Sequence, residues 1–143
     1  MSQFRYVLEE GWRILFVDDD PILREFAQVN LASPSSSITV AADGVEALEA
    51  IATSSFDLVL LDLEMPRMDG FEVLTRLRAD PATEALPVMV QTGREDVAAI
   101  DMAYDAGATS FVTKPLNWRL LSYQMRYVLR ASRAAPVATS AVA

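Results

Sequence analysis

Short apolar runs that end on a charged or hydroxyl side chain recur through this chain, with helical patterns between them. Ile14–Val17 leads into Asp18 and Asp19, Leu58–Leu61 into Asp62, Val88–Gln91 into Thr92, and Phe111–Thr113 into Lys114. Runs of this kind read as strands buried on both faces, and their alternation with helices predicts a parallel sheet covered on both sides. In such a sheet every strand points the same way, so the groups at the C-terminal ends gather along one edge, where α/β sheets bind ligands. Three carboxylates, a hydroxyl and an ammonium thereby become one site. That set suits the holding of a divalent cation and the movement of a phosphoryl group.

Composition narrows the chemistry further. The 143 residues contain neither cysteine nor histidine, which removes disulfides, thiolate metal sites, imidazole ligands and the commonest general base. Any metal must be a hard cation held by oxygen. A hydrophobic content of 52% is ample for the core of one domain. No apolar stretch reaches the roughly 18 residues of a membrane span, and no secretory leader is apparent, so a soluble cytoplasmic protein is expected. The net charge of -8 is uneven: residues 114–143 carry five bases and no acid, and all 20 acids precede them. An acidic body argues against nonspecific nucleic-acid binding.

Residues 1–12 hold Phe4, Tyr6, Val7, Leu8 and Trp12 without a sustained period, as a short strand-like arm or a disordered lead would. Asp20-Pro21 is a good cap and first residue for a helix, in which Ile22, Phe26 and Val29 mark one face. Ser33–Ser37 breaks that helix, and Ile38–Ala41 reads as a short strand. Asp43-Gly-Val-Glu46 has the spacing of a capping box and opens a helix to about Ala52. The third strand is Asp57–Leu61, followed by a loop from Leu63 to Gly70 and a helix over about 71–79. The fourth strand starts near Pro87. A helix over about 95–106, acidic in its first turn, stops at Gly107. The fifth strand is Ser110–Thr113, and Asn117 caps a last helix whose buried stripe is Leu121, Met125, Val128 and Leu129. Leu116 and Leu121 are placed as its hydrophobic staple. The small-residue tail 134–143 is expected to be disordered.

Asp62 is the candidate nucleophile. A carboxylate is ionised at neutral pH and attacks phosphorus without a base. The obstacle is electrostatic, because Asp18, Asp19 and Asp62 repel one another and an arriving phosphoryl group adds about two more negative charges. A bound Mg²⁺ or Mn²⁺ on these carboxylates, with Lys114 on the other side, would offset that repulsion. Thr92 would donate to a phosphoryl oxygen, and Gly93 leaves space beside it. Each residue taken singly has a plainer reading: strand-end aspartates and threonines usually cap or turn, as Asp20 and Asp69 are expected to do, and a lysine before proline is usually solvated. Four such coincidences at one sheet edge favour the joint reading.

At these residues a family resemblance becomes plain. Val17-Asp-Asp-Asp-Pro21, Leu60-Leu-Asp-Leu-Glu-Met-Pro-Arg-Met-Asp-Gly70, Thr92-Gly93 and Lys114-Pro115 resemble the receiver domain of two-component response regulators, over about residues 13–133. The resemblance implies a flavodoxin-like, doubly wound sheet of strand order 2-1-3-4-5. It also implies that Asp62 accepts phosphate from a histidine kinase or phosphotransfer protein, and that the domain is no enzyme beyond its own phosphorylation and dephosphorylation. Asp18 and Asp19 match the metal-binding pair, Glu64 the position whose backbone carbonyl completes the Mg²⁺ shell, and Thr92 and Lys114 the phosphate-sensing groups. The Lys114–Pro115 bond is cis by the same resemblance. Phe111 matches the switch aromatic, although a plain strand aromatic explains it equally well, and it lacks the hydroxyl of the tyrosine seen in many members.

Glu64 and Arg94 lie two residues after Asp62 and Thr92; either both are solvated loop residues, or their pairing across the pocket would restrict the hydrolytic water and tune phosphoryl lifetime. Arg119, Arg126, Arg130 and Arg133 share a face of the last helix, and Asp101 and Asp105 lie one turn apart on the fourth. In the family the face made by helix four, strand five and helix five often pairs with itself or with an effector, and stripes of opposite charge suit a symmetric dimer, although an ordinary solvated face or arginines on a nucleic-acid backbone would show the same pattern. Lys114–Trp118 and Arg126–Ser132 resemble receivers that precede cyclic-di-GMP synthesis or breakdown domains, so the chain is either a stand-alone regulator or a piece of something longer. Two rival functions remain. A haloacid-dehalogenase-type phosphatase would use Asp18 as nucleophile and Asp20 as acid, but it needs an acidic motif after the lysine, and no acid follows Asp105. A receiver-shaped module that is never phosphorylated would have no need of an intact site.

Overall fold

The computed structural model describes residues 7, 8, 10–93 and 96–134. Its elements alternate along the chain as β1 (Arg13–Val17), α1 (Pro21–Leu31), β2 (Ser37–Ala41), α2 (Gly44–Thr53), β3 (Leu58–Asp62), α3 (Gly70–Ala79), β4 (Val88–Thr92), α4 (Val97–Asp105), β5 (Ser110–Thr113) and α5 (Trp118–Ala134). The strands form one sheet in the order β2-β1-β3-β4-β5, every pairing parallel. This is the flavodoxin-like, doubly wound fold. β3 and β4 are buried along their whole length, which is why they read as unbroken apolar runs.

The period-2 geometry of a strand sorts the core into two layers. Ile14, Phe16, Leu58, Leu60, Met89 and Val112 meet Leu121, Met125 and Leu129 of α5 and Ala27 and Leu31 of α1. Leu15, Val17, Val59, Leu61, Val88 and Val90 meet Ala47 of α2, Val73, Leu74 and Leu77 of α3, and Ala103 of α4.

Capping residues stop and start the helices where the sequence places them. Asp20, Asp43 and Asp69 each accept a backbone N–H of the first turn, from Ile22, Glu46 and Glu72 respectively. The capping box of α2 closes in both directions, since Glu46 Oε1 accepts from Ala42 N at 2.8 Å. Asn117 Oδ1 accepts from Leu120 N at 3.0 Å. α4 starts at Val97, with Asp96 as its cap rather than part of an acidic first turn.

One expectation changes. The face of α1 marked by Ile22, Phe26 and Val29 turns outward, with 61%, 47% and 70% of each residue exposed. The helix packs instead through Ala27, Leu31 and the partly buried Leu23. Of the segment before β1, among the described residues 7, 8 and 10–12, Leu8, Glu10 and Trp12 contact the body. Leu8 and Trp12 are buried in the α1/α5 layer. Trp12 N donates to Ser36 Oγ at 3.0 Å, Ser33 Oγ donates to the Leu8 carbonyl, and Glu10 holds Arg130 at 2.6 Å. Arg133 stacks 3.9 Å above the Trp12 ring. Of the expected tail, only Ala134 lies within the described residues, as the last residue of α5.

Candidate functional site

At the C-terminal edge of the sheet the expected polar side chains come together. β1 and β3 are neighbours, so Asp18, Asp19 and Asp62 converge, each offering an oxygen within 4.8 Å of the others. Asp18 and Asp62 are buried and Asp19 is exposed. Asp62 continues the alternation of Leu58 and Leu60. Gly70 lets the loop after Asp62 fold back over it: a Cβ at Gly70 would stand 2.3 Å from the Asp62 carbonyl oxygen. Lys114, the only lysine of the chain, reaches in from the end of β5. Its Nζ lies 2.7 Å from Asp18 Oδ2 and 3.4 Å from Asp62 Oδ2. The Lys114–Pro115 peptide is cis.

Electrostatics follows from this packing. Burial, and then the neighbouring Asp18 charge, push the Asp62 carboxyl up to about 6, against the pull of Lys114 and of the Glu64 amide. Burial acts to lower Lys114, but its hydrogen bond to Asp18 and the charges of Asp62 and Asp18 outweigh that and leave it raised. The ammonium is therefore firmly charged and compensates two carboxylates at once. The donor set is all oxygen, as a hard cation such as Mg²⁺ requires. Asp18, Asp19 and Asp62 could ligate it from one side, with the backbone at Glu64 next to them, where Glu64 N donates to Asp62 Oδ1 at 3.3 Å.

Thr92 is fully buried at the end of β4, and its carbonyl accepts from Lys114 N at 2.8 Å. A Cβ at Gly93 would meet nothing within 4 Å, so the space expected beside Thr92 is open. Phe111 is half-buried against the layer of α2, α3 and α4. Glu64 is exposed, and Arg94, its expected partner, lies outside the described residues. Asp101, Asp105 and Arg119 are exposed. Arg126 lies 5.3 Å from the Tyr123 ring, whereas Arg130 is engaged by Glu10.

Sequence reasoning missed three supporting side chains. Arg24 donates to the Asp18 carbonyl at 2.8 Å and holds the β1–α1 turn. Gln91, fully buried and itself the register partner of Asp62, donates to the Val17 carbonyl at 3.3 Å and ties the three central strands together. Arg67 grips Asp43 at the start of α2. A glutamine inside an apolar strand was a visible signal, since a buried amide must find partners; the two arginines gave none.

Fold and site together define a parallel α/β domain with a lysine-compensated acidic pocket at the C-terminal edge of its sheet. Residues 14–126 match the family described as the response regulator receiver domain. The response regulator MprA of Mycobacterium sp. (strain KMS) is 42% identical over 118 residues, covering 82% of this chain and 50% of that protein. MprA of Mycobacterium bovis (strain BCG / Pasteur 1173P2) is 40% identical over 128 residues, covering 90% and 55%. This chain thus spans about half the length of the curated relatives it matches. The receiver domain protein (CheY-like) from Methanospirillum hungatei JF-1 superposes with a TM-score of 0.81 at 26% identity, covering 87% of this chain and 98% of that one. The chemotaxis protein CheY4 of Vibrio cholerae gives 0.77 at 28% identity, covering 82% and 98%. The chain belongs to the response regulator receiver domains of two-component systems.

Proposed function

We propose that this receiver accepts a phosphoryl group on Asp62 from a phosphohistidine of a histidine kinase or phosphotransfer protein. Asp62 attacks the phosphorus, an O–P bond forms, the N–P bond breaks, and the imidazole of the donor leaves with the electron pair. Lys114 holds a phosphoryl oxygen, and Thr92 donates to another from the end of β4. Mg²⁺ held by Asp18, Asp19, Asp62 and the Glu64 carbonyl would supply the positive charge that brings the phosphoryl group among three carboxylates. The observation that carries this reading is the convergence of Asp62 with Asp18, Asp19 and the Lys114 ammonium.

The phosphoryl group then draws Thr92 and Lys114 together, moves the β4–α4 loop, and biases Phe111 and the α4–β5–α5 face between two arrangements. Exposed Asp101 and Asp105 on α4, with Arg119 and Arg126 on α5, suit a homodimer or an effector on that face. Glu64 and Arg94 tune the lifetime of the acyl phosphate, and the domain catalyses no other reaction. Among the described residues no helix is long and apolar enough to cross a membrane, which accords with action in the cytoplasm.

Incubation with acetyl phosphate and Mg²⁺, followed by intact mass, tests the reading. Wild type should gain one phosphoryl group and Asp62→Asn none. Continuous release of phosphate from small phosphoesters would instead indicate a phosphatase. An unmodified wild type at saturating Mg²⁺ would indicate an interaction module. Solution mass with and without beryllofluoride reads the dimer, and dephosphorylation of Glu64→Ala and Arg94→Ala reads lifetime.

A further inference from the structure

The loop between Asp62 and α3 is held at its tip by a contact for which phosphoryl transfer, as set out above, has no role. Arg67 sits at that tip with φ +67°, a left-handed conformation costly for a residue with a side chain. Met68 N donates to the Pro66 carbonyl at 2.7 Å, which makes Arg67 the centre of a γ-turn. Across from it stands Asp43, nearly buried at the start of α2. The Arg67 guanidinium gives Nε and a terminal nitrogen to Asp43 Oδ2, at 2.8 Å and 2.7 Å. Asp43 Oδ1 accepts from Glu46 N at 2.9 Å and caps the helix. One carboxylate therefore caps α2 with one oxygen and grips the acceptor loop with the other. Gly44 completes the seat, since a Cβ there would lie 2.4 Å from the Met68 carbonyl oxygen. Other hydrogen bonds of the loop lie at its base, from Glu64 N to Asp62 Oδ1 and from Gly70 N to the Leu63 carbonyl.

We infer that Arg67 and Asp43 are positioning residues for the phosphoacceptor loop: by tying its tip to α2 they set the Glu64 carbonyl and, through it, the Mg²⁺ affinity of the acidic pocket. This rests on the phosphoacceptor reading of the site. Neither side chain touches the phosphoryl group. A released tip samples more conformations, and ordering it on cation binding costs conformational entropy that the latched loop has already lost. The loss falls on cation affinity, and transfer in the cation-loaded pocket is spared.

Three variants of the full chain test this. Arg67→Gly keeps the left-handed turn without the guanidinium, Asp43→Asn keeps a helix cap without the charge, and the third combines them. Calorimetry gives Mg²⁺ dissociation constants, acetyl phosphate labelling gives rates across Mg²⁺ concentration, and thermal unfolding verifies that each variant is folded. Each single change should weaken Mg²⁺ binding about tenfold, as loss of a residue that orients a metal ligand does. The double variant should be no weaker than the worse single one, and labelling at saturating Mg²⁺ should stay within about twofold of wild type. Wild-type affinity in both singles, additive losses in the double, or slower labelling at saturating Mg²⁺ would each overturn the inference. Failure of the functional reading shows separately, as wild-type protein that takes no phosphoryl group, while the Mg²⁺ affinities still report on the latch.

Discussion

The Asp62 carboxylate is disfavoured by its own surroundings, through burial and the neighbouring Asp18 charge. Its carboxyl is raised from 3.8 to about 6, so the folded protein binds a proton there that the unfolded chain gives up. The sign follows from linkage: the stabilisation is full below about 3.8, and it is lost as pH rises through about 6. Without divalent cation, wild type should therefore melt higher at pH 5 than at pH 7. Asp62→Asn should flatten that slope and stabilise the protein at pH 7 by about 3 kcal/mol. Melting curves in chelator from pH 5 to 8 check both, and a wild type whose stability climbs with pH over that range would contradict the account. At the same scale, Gly70→Ala should cost about 3 kcal/mol in urea unfolding, because the backbone of β3 has no slack to move away from a methyl group. Asp62, its acidic neighbours and the lysine were legible in the sequence because each terminates an apolar run. Arg24 and Arg67 were not, because an arginine in a polar loop looks the same whether it is solvated or folded back onto a carbonyl or a carboxylate.

Among the elements, α1 teaches the most. The 3.6-residue period locates a face but does not say which way it looks, and Ile22, Phe26 and Val29 look outward. Changing Ile22 or Val29 to serine should alter stability by no more than about 0.5 kcal/mol, whereas Leu31→Ala should cost about 2–4 kcal/mol. Chemical denaturation separates the two, and a large cost at Ile22 or Val29 would mean that α1 is rotated from the orientation described. The caps behaved differently. Asp20, Asp43, Asp69 and Asn117 could be read from sequence because a cap bonds to the backbone within three residues, a local geometry that tertiary packing does not rewrite.

Across the whole molecule, Leu8 and Trp12, which precede β1, pack with elements far along the chain. The family match begins at residue 14, yet Trp12 is 3% exposed and packs into the same layer as Leu129 near the end of α5. Trp12→Ala should cost about 3–5 kcal/mol, as truncation of a buried aromatic does. Removal of residues 1–12 should release the last turns of α5 to faster amide exchange, measured by hydrogen–deuterium exchange against wild type. Unchanged protection over residues 126–134 would show that α5 holds its end without the arm. Glu10 and Trp12 also engage two arginines of α5, Arg130 and Arg133.

Local order along the chain was enough to determine the strands, the helix caps, the parallel sheet and the polar groups that collect at one edge. Those features depend on period, on bonds between near neighbours and on the single direction shared by all strands. Tertiary structure alone decided how deeply Asp62 is desolvated, which way α1 faces, where the arm docks, and that Asp43 serves both a helix and a loop 24 residues away. Each of these depends on which surfaces exclude water from one another, and that is a property of packed elements, absent from any single stretch of sequence.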